Sequence, residues 1–217
     1  MMKIIVNEKV LSNYPSAIFG SLLVKNVVNK KQDSKLNERK KILQEDVKTR
    51  YEDTSVDEIL QSYKEHFKRW NKSYPIEYQI QSVLKGKNLP NVSVLVDSMF
   101  HAELKNRILT SGHNLDELIG NLVFGLSVGT EQYLKIDGNT QQLKAGDILL
   151  HDDKDILANI LYGPAKRSTI TLQTNNVLYL AWSPGNIDTQ RVRSHLEDLL
   201  SNLQIVYGPV DAKITII

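Results

Sequence analysis

Apolar positions along the chain change rhythm several times, and each change marks an element. Residues 17–28 (Ala-Ile-Phe-Gly-Ser-Leu-Leu-Val-Lys-Asn-Val-Val) are apolar and rich in β-branched side chains, which predicts a buried strand. Residues 34–71 have the opposite character. Ser34 reads as an N-cap before Lys35, and Leu36, Leu43 and Val47, with Ile42 alongside, fit a helical stripe. A second stripe runs through Val56, Ile59, Leu60, Tyr63 and Phe67, with Ser55 and Glu58 at capping-box spacing before it. These stripes predict two charged helices with a break near Asp53-Thr54-Ser55. Pro75 suits the first turn of a short helix over Ile76–Leu84, which Gly86 closes before the Leu89-Pro90 turn. From Val92 to Leu109 the residues Leu95, Val96, Met99, Leu104 and Ile108 predict another helix, broken by Ser111-Gly112-His113-Asn114.

Strand-like runs then dominate. They cover 122–128, 133–136, 148–150, 156–162, 169–172 and 177–182, with Asp137-Gly138-Asn139 as a hairpin signal. Helical spacing returns over 188–206 (Val192, Leu196, Leu199, Leu200, Leu203), and 212–217 reads as a terminal strand. No repeat and no Pro-, Gly- or Ser-rich linker interrupts the series. The order predicts an α+β fold in a single domain over residues 1–217.

Composition agrees with a chain that buries one sizeable core: 217 residues, 41% hydrophobic and 24% charged. The chain has no Cys, which excludes disulfides, thiolate metal sites and a thiol nucleophile. No apolar run approaches the roughly 20 residues a membrane helix needs. The first residues lack a signal-peptide pattern, so a cytoplasmic location without membrane contact is expected. A formal charge of +2 is too small to argue for nucleic-acid binding by itself. Between Lys64 and Lys87, however, Lys64, Lys68, Arg69, Lys72, Lys85 and Lys87 face only Glu65 and Glu77. The plain alternative is a solvated helix face.

From Phe67 onward the ordered series resembles the B3/B4 domain of bacterial phenylalanyl-tRNA synthetase, as found in free-standing proteins. The matching pieces are Phe67-Lys68-Arg69-Trp70, residues 83–90, residues 95–106, Ser111-Gly112-His113-Asn114-Leu115-Asp116, Gly146-Asp147-Ile148, Tyr162-Gly163-Pro164, residues 167–171 and Thr174-Asn175. They span residues 67–183, leaving the charged segment 34–66 without a counterpart and open to a protein-interaction role. The resemblance implies layered mixed and antiparallel sheets (β/β/α) flanked by helices. It further implies a tRNA or aminoacyl-tRNA partner and a trans-acting editing hydrolase that deacylates mischarged tRNA. A non-catalytic module that binds tRNA or a free amino acid is the alternative. Val96-Asp97, His113 and Asp116 match synthetase motif positions. Phe100 stands where an Asn is expected, and Ser168 falls near the position of the glutamate that reads the wrong amino acid.

Hydrolysing an aminoacyl ester requires a placed water and help for the developing oxyanion. His113 is the candidate for water positioning or general-base work, since imidazole titrates near neutrality; a ring that only hydrogen-bonds its own loop is the alternative. Glu103 and Asn106, at i and i+3, join it as catalytic candidates. Phe100 shares the helix face of Glu103, and a carboxylate beside an aromatic ring suits an α-amino group. Phe100, Ser111, Gly112, Asp116, Ser168 and Thr169 are the candidate substrate contacts, and Lys85, Lys87, Lys105 and Arg167 the candidate tRNA contacts. His151-Asp152-Asp153 lacks a partner at zinc-site spacing, so no metal is expected, and missing phosphate loops argue against a cofactor.

Overall fold

Beginning near the N-terminus, β1 (Ile4–Val6) and α1 (Glu8–Asn13) precede the long apolar strand β2 (Ile18–Lys25). Four helices follow: α2 (Ser34–Glu52), α3 (Glu58–Lys68), α4 (Pro75–Leu84) and α5 (Val94–Asn106). Next come β3 (Leu109–Asn114), β4 (Leu122–Leu126), β5 (Gln132–Leu134), β6 (Thr140–Gln142), β7 (Ile148–His151), β8 (Ile156–Asn159) and β9 (Gly163–Pro164). Strand β10 (Val177–Ser183), α6 (Thr189–Tyr207) and β11 (Asp211–Ile216) complete an α+β fold. The structure is a computed structural model and describes residues 2–52, 57–185 and 187–217.

Two sheets stack, with helices outside one of them. The four-stranded sheet has the order β11-β2-β10-β3 and is antiparallel throughout. Every residue of β10 is buried, as a central strand covered on both faces must be. One face of this sheet takes α6, where Leu196 and Val192 press on Gly20. The other meets the five-stranded sheet β1-β4-β7-β8-β9, and Phe19 of β2 reaches Phe124 of β4 at a ring distance of 4.5 Å. Strands β5 and β6 form a separate hairpin at the predicted Asp137-Gly138-Asn139 turn, where Gly138 takes φ +84°.

The charged helix α2 packs on α4, α5 and α6. Its anchor is Lys40, whose ammonium donates to Asp97 at 2.9 Å and to Pro90 O and Asn91 Oδ1 at 2.6 Å each. Asp97 also accepts from Val92 N–H at 2.9 Å. Both charged side chains are almost fully buried. Lys40→Met is therefore expected to lower the melting temperature by several degrees, because the Asp97 carboxylate would keep only a backbone donor. Differential scanning calorimetry checks this, and an unchanged transition would contradict it.

Several expectations need correction. Ser34 is the first helical residue of α2, and Asp33 receives the Lys35 N–H. Asp57 caps α3 by accepting from Ile59 and Leu60, while the predicted break and Ser55 lie outside the described residues. The predicted break at 111–114 is a strand: Arg107, at φ +57°, ends α5, and pairing with β10 draws Leu109–Asn114 into the sheet. Its turn-like composition is overridden by those inter-strand bonds. Conversely, 169–172 forms no strand. Lys166–Ser168 is a 3-10 turn, and Thr174 closes a further turn on Thr171.

Candidate functional site

Strand β3 is the edge of its sheet, and α5 runs back along it. The left-handed Arg107 reverses the chain so tightly that Glu103, in the last turn of α5, accepts the Thr110 N–H at 2.7 Å. That carboxyl group is 3% exposed, and burial pushes it up to about 8, against the lowering effect of the Thr110 bond. Its second oxygen has no hydrogen-bond partner among the described residues.

A cavity of about 480 Å³ opens at this edge, within the size range of small-molecule sites. Its floor comes from between the sheets (Phe124, Ile148, Leu180, Trp182), and α4 and α5 contribute Ile76, Met99 and Phe100. Polar side chains are a minority: Gln79, Glu103, Thr110, Ser111, Asn159, Tyr162 and Thr169. Gly112 is needed here for space, since a Cβ would lie 2.7 Å from Ile170 Cδ1 and 3.3 Å from Met99 Sδ. Gly112→Ala is therefore expected to push Ile170 into the cavity and weaken any ligand held there. Titration of the variant against the wild type reads this directly, and equal affinity would contradict it.

His113 lies one step behind the wall. Its ring is fully buried, with Nδ1 2.8 Å from Ser168 Oγ and Nε2 3.0 Å from Ser111 Oγ. Burial pulls its pKa down to about 4, helped by the Arg167 charge and opposed by Asp152. The ring is therefore neutral at pH 7, donating through one nitrogen and accepting through the other. Of its two hydrogen-bond partners, Ser111 lines the cavity.

Of the candidate residues, Glu103, Phe100, Ser111, Gly112 and Thr169 share the cavity wall. Asn106 turns away and donates to Asp198 of α6, beside the Lys105–Asp198 ion pair at 2.7 Å. Arg167 holds Asp152 at 2.7 Å and donates to Glu117 O. Asp116 is exposed and accepts from Asn176. Ser168 is buried on His113. Lys85 and Lys87 are exposed after α4. Asp97 is spent on Lys40. Met99, Ile170, Trp182 and Tyr162 also line the cavity, yet their sequence signal is that of ordinary core. Lys72 stands over the Tyr162 ring, 5.0 Å from its centroid, and so marks the rim.

No family model matches the chain. No curated protein matches it either. Among solved structures it is similar to an N-terminal fragment of the phenylalanyl-tRNA synthetase β-subunit from Pyrococcus horikoshii, with a TM-score of 0.52 and 12% identity. The likeness is one of fold. It covers 98% of this chain and 50% of that fragment, so the chain spans half the length of the fragment it matches. No helix among the described residues is long and apolar enough to cross a membrane.

Proposed function

We propose that this chain is a B3/B4-type module that receives the aminoacyl end of a tRNA, or the free amino acid, and binds it without cleaving it. The observation that carries this reading is the apolar cavity at the open edge of β3, with the Glu103 carboxyl on its wall. An apolar side chain fills such a space, and the few polar groups orient it. The synthetase-like fold supports a tRNA-related partner. Lys72 at the rim, with Lys85 and Lys87 beyond α4, supplies cations for phosphate contacts. Lys105 and Arg167 are held in ion pairs and have less to offer.

Titration with phenylalanyl-tRNA carrying a non-hydrolysable amide link, beside uncharged tRNA, tests the reading. The charged form is expected to bind at least roughly 10-fold tighter, and both affinities should fall with salt. Lys72→Ala should reduce the salt slope by about 1. Equal affinity for the two forms would end the aminoacyl reading. A hydrolytic role is the second reading, favoured by the Ser111–His113–Ser168 chain, which resembles a nucleophile, base and orienting group. Against it, both nitrogens of the buried ring meet serine hydroxyls, and neither hydrogen-bonds a carboxylate among the described residues. A panel of mischarged tRNAs decides: ester loss above background that Ser111→Ala and His113→Ala both abolish would establish hydrolysis.

A further inference from the structure

The edge of β3 offers more than a wall. Thr110 gives its N–H to Glu103, away from β10, whereas Leu115 gives its N–H to Asn176, on the β10 side. By the two-residue period of an antiparallel pair, Thr110, Gly112 and Asn114 present their main-chain groups outward. The outward N–H of Gly112 meets no turn, loop or side-chain acceptor among the described residues, and Gly112 lines the cavity. Glu103 has an oxygen to spare on the same edge. Trp182, also on the wall, has a buried indole N–H without an acceptor among the described residues.

These groups form a sequence of charges and donors. Adjacent outward N–H groups of a strand stand about 7 Å apart, two residues at 3.4 Å each. The Glu103 carboxyl accepts from the first of them, and an ammonium on its second oxygen would favour the ionised carboxylate. A group bound between that carboxylate and the second N–H must be a donor at one end and an acceptor at the other. An α-ammonium next to a carbonyl has this pattern, and its side chain would fall into the apolar space.

We infer that the cavity selects a free α-aminoacyl unit. Its ammonium seats on the unused oxygen of Glu103, its carbonyl accepts from Gly112 N–H, and N-blocked acyl groups are excluded. The inference rests on the aminoacyl-binding reading above and names the ligand class of that site: an apolar α-amino amide or ester with an unmodified amine.

Calorimetric titration with four small amides and amines tests it. L-Phenylalaninamide carries both groups, 3-phenylpropanamide lacks the amine, 2-phenylethylamine lacks the carbonyl, and N-acetyl-L-phenylalaninamide blocks the amine. The first is expected to bind about 10- to 100-fold tighter than each of the others, as hydrogen bonds to a charged group warrant. Glu103→Gln should erase the preference for the free amine while leaving the affinity for 3-phenylpropanamide within about 3-fold, which also shows that the variant is folded. Equal binding of phenylalaninamide and 3-phenylpropanamide would overturn the inference and leave the aminoacyl cavity standing. Failure of all four to bind would overturn both.

Discussion

Asp97→Ala is expected to destabilise the protein by about 3–5 kcal/mol, the cost of stranding a buried charge. The Lys40 ammonium would stay buried between Pro90 O and Asn91 Oδ1 with its counter-charge gone, and Val92 N–H would lose its acceptor. For a chain of this length each kcal/mol corresponds to roughly 2–4 °C, so the melting temperature should fall by on the order of 10 °C. The contact joins α2 to the start of α5, and α5 carries Glu103 and Phe100 into the cavity. Ligand affinity should therefore fall with stability rather than independently of it. A variant that melts within a degree of the wild type would mean that water reaches this pair.

Glu103→Gln should reshape stability as a function of pH. The native carboxyl is held up at about 8, against an ordinary value of 4.5 in the unfolded chain. Between those values the native state keeps a proton that the unfolded state has lost. Unfolding therefore releases a proton, and stability falls as pH rises through the window. At about 1.4 kcal/mol per pH unit the loss reaches several kcal/mol by pH 8. Gln has no charge to bury and can still accept the Thr110 N–H. The variant is thus expected to gain on the wild type steadily from pH 5 to pH 8. The buried His66, His101, His113 and His195, all depressed by burial, and Asp147, raised to about 7, titrate in both proteins and cancel in the difference. Urea denaturation at three pH values reads the effect, and parallel curves for the two proteins would contradict it.

The helices were legible because their apolar stripes answer to period: Ile59, Leu60, Tyr63 and Phe67 are all buried on one face of α3. Strand β3 was illegible for the opposite reason. Ser111, Gly112 and Asn114 are turn-formers by local chemistry, and only pairing with β10 makes them a strand. The same blindness affected the site. Phe100, Glu103, Ser111, Gly112 and Thr169 stand out in sequence and do meet in space. Asn106 shares a helical face with Glu103 by spacing, yet at the end of α5 it is captured by Asp198, a residue 92 positions away. His113 reads as a loop imidazole in a break after a helix, and the sheet register instead turns it inward onto Ser168. Met99, Ile170 and Trp182 carry no mark that separates a cavity wall from filled core.

The claim on which the rest depends is that an aminoacyl group occupies the space at the free edge of β3. Methyl-labelled protein saturated with a 3′-phenylalanylamido-adenosine analogue puts it to the test by intermolecular NOE. The account predicts contacts from the ligand ring to the Ile170 δ and Met99 ε methyls, with smaller shifts at Ile148. Shifts confined to the exposed surface around Lys85 and Lys87, with those methyls unmoved at saturation, would contradict it.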